Sequence, residues 1–463
     1  MNGDCMLNDF IIIDKKEKAP LYRQIYLSVR HSIENGSLKK GTKMPSIRRL
    51  SEDLSVSKTT VTGAYEQLCV EGYIKNVPQS GYYVEAEFSN HPKSFESENS
   101  DKSEQNRFFE YDFSGKSIDE KIINLTEWKK CVKDVLNQNY LLTSYGNEQG
   151  ERTLRRALQK YSLGTRSVNT VTENIIVGAG TQPLLYLLCT ILGRNKKIAL
   201  ADSSYIQSEL VFKSFGYDIE YFENDNYGVT VDSLDRIKPD LILINPNFTK
   251  ESGTNMPVNR RLEIIEWAKN NNALIIEDDY NGELRYITHP MPCVQNYDAE
   301  NTVYLGSFSK VLLPSVRISY MVLPYKYMSA YNNIRHITNQ TASKAEQLAL
   351  AKYIESGKID AHLRKARRIY LEKSKVILDS IKKQFGCSAK VVFNETSLYI
   401  SIFVSGNVNR KAVDEKLRKL SVGIMPYKTE NNEFGLSFSG IPQDKIASGI
   451  KILAETVNEF TDI

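Results

Sequence analysis

A lysine, Lys310, stands between serines and an apolar run in LGSFSKVLLPSVRISYMVLP, the stretch that begins at Leu305. An ammonium group is costly to desolvate unless it is paired or chemically engaged. A lysine amine that loses its proton is the nucleophile of Schiff-base chemistry with an aldehyde. Other residue types suited to such chemistry recur along the chain. IIEDDY offers Asp278 or Asp279 as a carboxylate to face a protonated ring nitrogen, and Tyr280 as a donor to a ring hydroxyl. GAGTQP offers Gly180 and Thr181, backbone amides and a hydroxyl at the opening of a helix, where the peptide dipoles favour an anion. Ser307 and Ser309 flank the lysine, and Arg317 adds positive charge nearby. Tyr205, just after IALAD, supplies an aromatic face. Each signal alone has an ordinary explanation: a packing glycine, a solvated strand end, an amphipathic tyrosine, a salt-bridged lysine. Together they meet the needs of one cofactor, pyridoxal 5'-phosphate, which requires a lysine, a carboxylate at its pyridine nitrogen, an aromatic face over its ring and a cradle for its phosphate.

These residues share a structural position. From residue 111 onward, short apolar runs alternate with helical stretches. The runs are IIVG (175–178), IALAD (198–202), LILIN (241–245), ALIIED (273–278), VYLG (303–306) and ISYMVL (318–323). They are continuous, not alternating, which suits strands buried on both faces of a mostly parallel sheet. QPLLYLLCTIL (182–192) and RRLEIIEWAKNNN (260–272) read as covering helices. Ligands in such α/β sheets sit at the carboxyl ends of the strands, and the candidate residues follow the runs. After Lys344 the pattern changes to a long amphipathic helix and then short strands, including VVFNETSLYISIFV and FGLSFSG. We read 344–463 as a smaller C-terminal α+β subdomain.

At 463 residues the chain is too long for one compact core. Its composition, 41% hydrophobic and 25% charged, is that of a globular protein, and a net charge of +4 names no partner for the whole. Between Lys15 and Lys75, however, basic residues outnumber acidic ones by roughly two to one. Residues 88–110 include SNHPKSFESENSDKSEQNR, which lacks Val, Leu and Ile and cannot bury enough surface to offset ordering. They read as a flexible linker spanning roughly 25 Å on average. Six scattered cysteines without a CxxC read as reduced thiols, and five distant histidines give no metal-ligand spacing, so no metal is expected. The N-terminus lacks the basic region and apolar length of a signal peptide, and no window is long enough for a membrane span. A cytoplasmic protein is expected.

The basic region, 9–87, divides into elements. Leu21, Ile25, Val29 and Ile33 recur at helical spacing, and Asn35-Gly36 stops that helix. Ser46 and Ser57 are placed to cap two further helices, and GYIKNVPQSGYYVE reads as a hairpin with Gly81 near its tip. Helix, helix–turn–helix and hairpin make a winged helix–turn–helix, whose third helix enters the major groove of double-stranded DNA. Lys58, Thr59, Thr60 and Thr62 open that helix, with side chains suited to base edges and phosphates. Arg48 and Arg49 on the preceding helix can clamp the backbone. A small helical oligomerisation module is the bland alternative, which the basic balance and the wing disfavour.

Over this region PLYRQI, GSLKKGTKMPSIRRLSEDLSVSKTTVTGAYEQLCVEGYI and QSGYYV resemble the GntR family of bacterial regulators. The resemblance implies DNA contacts from Arg48, Lys58, Thr59, Thr60, Thr62 and Gly81. Many relatives carry arginine where Lys58 stands, and lysine makes the poorer bidentate contact with guanine. Over almost the whole chain, SYGNEQGERTLRRALQKY, GAGTQP, SGTNMPVNRR, EDDYNGELRY and GSFSKVLLPSVRISYMVLP resemble the MocR subfamily. In that subfamily a GntR-type head precedes a fold-type-I aminotransferase-like domain. The resemblance implies Lys310 as the Schiff-base lysine, Asp278 as the pyridine-nitrogen partner, Tyr280 as the ring-hydroxyl partner and Tyr205 as the stacking aromatic. It also implies that Tyr145 reaches the phosphate across a dimer interface. The homodimer so implied has a linker long enough to permit swapped heads.

The sequence departs from the aminotransferase pattern where those enzymes grip an amino acid's carboxylate. Gly435 in FGLSFSG stands where arginine is usual, and no Arg or Lys lies between Glu430 and Gln443. Gln207 replaces an arginine of some amino-acid-sensing relatives, and Phe248 in NPNFTKESG replaces a histidine near the ring. Losing a bidentate arginine–carboxylate pair weakens amino-acid binding and transamination. The expected function is a regulator that senses pyridoxal phosphate itself or an amine or amino-acid-like effector, with little or no turnover beyond weak residual transamination. The alternative is an aminotransferase carrying a DNA-binding head.

Overall fold

The computed structural model describes residues 11, 13, 19–87, 109–201, 206–247, 255–286, 291–393, 397–425 and 432–462. It forms two compact units, Met1–Asn106 and Arg107–Ile463. Residues 88–108 of the expected linker lie outside the described residues.

In the first unit, α1 (Leu21–Glu34) places Ile25, Val29 and Ile33 in the core and ends at Asn35, with Gly36 at φ +76°. α2 (Ile47–Asp53) starts at Ser46, whose hydroxyl accepts from Arg49 N, and α3 (Lys58–Val70) starts at Ser57, which accepts from Thr60 N. Both serines satisfy an amide that the helix leaves unpaired. Strands β1 (Ile74–Val77) and β2 (Gly81–Val84) form an antiparallel hairpin whose turn needs a positive φ at both Gln79 and Gly81. Leu50, Val61, Ala64, Tyr65, Leu68, Ile74 and Val84 close the core under the helices, so the fold is the winged helix–turn–helix that the spacing predicts.

In the second unit, β3 (Tyr111–Asp112) comes first and pairs with a late strand described below. The main sheet has seven strands. They are β4 (Ile175–Gly178), β5 (Lys197–Leu200), β6 (Asp218–Tyr221), β7 (Leu241–Ile244), β8 (Leu274–Asp279), β9 (Thr302–Ser307) and β10 (Ser319–Val322), in spatial order β4-β10-β9-β8-β7-β5-β6. All run parallel except β10, which is antiparallel to both neighbours. The apolar runs are buried on two faces. Leu274 and Ile276 of β8 pack into one apolar cluster with Leu241, Leu243, Val303 and Leu305, while Ile275 packs into another with Ile242 and Ile264. Helices α4 (Arg152–Arg166), α5 (Thr181–Leu192) and Val258–Asn270 cover the sheet.

The long helix α6 (Lys358–Phe385) precedes a three-stranded antiparallel sheet of β11 (Ala389–Val392), β12 (Tyr399–Val404) and, later, β14 (Glu433–Ser437). Between them β13 (Val422–Gly423) pairs in parallel with β3. The strand β6 follows no apolar run: its DIEY side chains are mostly exposed at the sheet edge, and the sequence pattern does not announce it. Among the described residues no helix is long and apolar enough to cross a membrane.

Candidate functional site

The carboxyl ends of β4, β8 and β9 and the amino end of the antiparallel β10 assemble one site. Cross-strand register aligns Gly178, Ser319 and Ser307 on a single rung. The turn after β4 therefore lies beside the turn after β9. In that second turn Ser307 caps the short helix Phe308–Val311, accepts from Ser309 N and shares a 2.9 Å hydrogen bond with Ser319 Oγ. Lys310 projects from this helical turn. Its Nζ donates to the carbonyl of Gly115 at 2.6 Å, and burial pushes the amine's pKa down against the opposing pull of Asp112.

The first turn is shaped around a missing side chain. Gly180, at φ +97°, precedes α5, and a Cβ there would stand 2.7 Å from Arg317 Nη2. The Arg317 guanidinium thus lies against the backbone that leads to Thr181 and the free amides of the helix N-terminus. Arg317 itself has a left-handed backbone, at φ +50°. Ala179 N is already satisfied by Thr341 Oγ1 at 2.9 Å. Thr341 carries no sequence signal that would have found it.

Side-chain alternation at the end of β8 separates the two aspartates. Asp279 is fully buried and accepts from Arg166 Nε at 2.5 Å, Asn247 Nδ2 at 2.8 Å, Tyr304 OH at 3.0 Å and Gly282 N at 3.0 Å. Its lone pairs are spent on structure, tying the end of α4 to the sheet. Asp278 is half-buried on the opposite face and has no hydrogen-bond partner among the described residues. Burial and the charge of Asp279 push its carboxyl up to about 7. Burial and the charge of Asp278 raise the Tyr280 phenol, against the opposing pull of Asn245, the first residue beyond β7. Asn245 Oδ1 accepts from Asn247 N, which leaves its amide to face Tyr280. Sequence reasoning quoted Asn245 but gave it no role; its position straight after an apolar run was the available signal.

The residues present fit pyridoxal phosphate. A cradle that a Cβ would fill lies against a guanidinium, a carboxylate without a hydrogen-bond partner among the described residues lies at a strand end, and an amine of lowered basicity lies in the next turn. Tyr205 and Phe248 lie outside the described residues. Tyr145 is fully exposed, and its carbonyl accepts from Lys344 Nζ at 3.5 Å. Gly435 is buried in β14 opposite Ser401, its carbonyl accepting from Met425 N. Gln207 Oε1 is buried without a hydrogen-bond partner among the described residues.

In the head, Arg48 and Arg49 are well exposed and, among the described residues, pair with Glu52 and Asp53 on their own helix. Lys58 and Thr59 are exposed at the start of α3, and Thr60 and Thr62 are half-buried there. Thr59 and Thr60 also share hydrogen bonds with the Ser57 hydroxyl, at 2.7 and 2.8 Å, which orders the end of the helix that would meet DNA. Gly81 opens β2 at φ +111°, with Lys43 Cε 3.7 Å from where a Cβ would sit.

Comparison with known proteins agrees with both units. The family model described as bacterial regulatory proteins, gntR family, matches residues 21–84. The HTH-type transcriptional regulator YdeL of Bacillus subtilis is 33% identical over 445 residues, covering 94% of this chain and 96% of that protein. The "Probable rhizopine catabolism regulatory protein MocR" of Rhizobium meliloti is 28% identical, covering 80% of this chain and 78% of that one. The HTH-type pyridoxine biosynthesis transcriptional regulator PdxR of Corynebacterium glutamicum is 27% identical, covering 81% and 82%. Among solved structures, an archaeal alanine:glyoxylate aminotransferase superposes with a TM-score of 0.69 at 23% identity, over 75% of this chain and 91% of that one. This last likeness identifies the second unit as an aminotransferase fold.

Proposed function

The chain belongs to the MocR subfamily of GntR-family transcriptional regulators, and on that footing we propose that it binds pyridoxal 5'-phosphate at Lys310 and uses that site to control how its head engages operator DNA. The observation that carries the reading is the convergence of Lys310, Ser307, the Gly180–Arg317 cradle and Asp278 at neighbouring strand ends of one sheet. When bound, the cofactor supplies an aldehyde for capture and an electron-poor ring.

Lys310 presents the amine, and its burial favours the uncharged, nucleophilic form. Asp278 faces the ring nitrogen, where a cationic partner returns its carboxyl to the ionised state. Tyr280 faces the ring hydroxyl. Gly180, Thr181, Ser307, Ser309 and Arg317 hold the phosphate, with Tyr145 of a second subunit added in a homodimer. Tyr205 covers the ring. Arg48, Arg49, Lys58, Thr59, Thr60, Thr62 and Gly81 meet the DNA.

The effector is pyridoxal phosphate itself or an amine or amino-acid-like compound. The name of PdxR, a regulator of pyridoxine biosynthesis, supports the first. Gly435, which offers no cation to a carboxylate, supports sensing with little or no turnover. The test is spectroscopic. Wild-type protein mixed with pyridoxal phosphate should show the visible band of a lysine-bound pyridoxal, and Lys310→Ala should lose the band while keeping its circular dichroism. An unchanged band in the variant would reject the assignment.

A further inference from the structure

We propose that the Lys310 amine also works as a catch on residues 111–117, so that the chain leading out of the 88–110 segment reads whether the lysine carries the cofactor. The proposal rests on Lys310 being the Schiff-base residue. Its physical basis is one hydrogen bond and the turn that receives it. Lys310 Nζ donates to Gly115 O at 2.6 Å. Gly115, at φ +72°, sits in a turn organised by Asp112, whose Oδ1 accepts from Ser114 N at 2.9 Å and Ser114 Oγ at 2.5 Å. Asp112 Oδ2 accepts from Ser117 Oγ at 2.6 Å.

The same few residues are stapled to the C-terminal strands. Tyr111 and Asp112 pair with Val422 and Gly423, Phe113 N donates to Gly423 O at 2.7 Å, and Ser437 N donates to Phe113 O at 2.9 Å. Ser439 Oγ donates to Ser117 O at 2.9 Å. A Cβ on Gly115 would stand 3.1 Å from Ser437 Cβ and 4.0 Å from Lys310 Nζ, so lysine, turn and β14 meet at one point. Gly115 lies only five positions beyond residue 110.

Schiff-base formation changes this contact by stoichiometry. The lysine nitrogen would bond the aldehyde carbon, the carbonyl oxygen would leave as water with two hydrogens, and the nitrogen would keep at most one N–H. Gly115 O then loses its donor. When a second amine takes over that carbon, its two hydrogens pass to Lys310, which regains its amine and with it the bond to Gly115. The turn is therefore held in one chemical state of the lysine and released in the other, at the point where the second unit begins.

Hydrogen–deuterium exchange on the full chain tests this, with pyridoxal phosphate as the probe. In wild type, the cofactor should bring the visible band and speed exchange across 111–117 by up to about tenfold, the scale of one neutral hydrogen bond. Exchange in the edge strand Asp218–Tyr221 should not change. Lys310→Arg keeps a donor for Gly115 O without forming the imine, so its turn should stay slow with or without cofactor. Lys310→Met has neither, so its turn should be fast from the outset and unresponsive. A wild-type band with unchanged exchange in 111–117, or slow exchange in Lys310→Met, overturns the catch and leaves the cofactor reading standing. Absence of the wild-type band overturns both.

Discussion

Asp278 and Asp279 are chain neighbours with opposite environments, and the difference decides which can serve a ligand. Asp279 spends its oxygens on Arg166, Asn247, Tyr304 and Gly282, whereas Asp278 has no such donors among the described residues and its carboxyl is pushed up to about 7 by burial and by Asp279. A carboxyl raised in the folded state holds a proton that the unfolded chain releases near pH 4. Its contribution to stability is thus present at low pH and lost as pH rises through about 7. In protein stripped of cofactor, Asp278→Asn should melt with wild type near pH 3 and above it near pH 8. A Tm difference that does not vary with pH would contradict this. With pyridoxal phosphate bound the order should reverse, because only the aspartate offers a charge to the ring nitrogen. The sequence left the two aspartates as alternatives, and the strand's period of two, together with four hydrogen bonds, separates them.

At the scale of elements, what was legible in the sequence is what local chemistry dictates. Ser46 and Ser57 are caps because a hydroxyl before a helix has free amides to bond. The six apolar runs are strands within a residue or two, because a strand buried on both faces must be apolar throughout. The misses share a cause. β6 is an edge strand held by backbone pairing with mostly exposed side chains, and backbone pairing leaves no mark on residue type. The Gly115 turn and Thr341 act through contacts across long stretches of chain, which no local window contains. Gly180 lies between these cases: GAGTQP announced a strand–helix turn, and only the fold brings Arg317 against it. Gly180→Ala should cost on two counts, a side chain at φ +97° and a Cβ 2.7 Å from Arg317 Nη2. Strain of about 1–3 kcal/mol at such a position corresponds to roughly 5- to 150-fold weaker pyridoxal phosphate binding, if the cradle distorts to relieve it. Titration of the visible band would measure this, and unchanged affinity would remove the cradle from the phosphate site.

At the scale of the whole molecule, a regulator must turn ligand chemistry in one unit into altered DNA affinity in the other, and a ligand does so only through different affinities for two states. The head's own contribution can be isolated first. Arg48 is exposed and, among the described residues, pairs with Glu52 one turn along; such surface pairs are worth little, so its guanidinium exchanges readily to a phosphate. On a DNA fragment from near its own gene, Arg48→Ala should weaken binding sharply and lower the slope of log affinity against log salt by about 1, one phosphate contact's share. Adding pyridoxal phosphate should then shift wild-type operator affinity and the affinity of Arg48→Ala by the same factor, because the coupling energy belongs to the second unit. Lys310→Ala should bind the same fragment with no response to the cofactor. Gel shifts of the three proteins across a salt series separate these outcomes. If Lys310→Ala responds to pyridoxal phosphate as wild type does, the signal does not pass through the lysine, and the two units of this chain are coupled by some other contact.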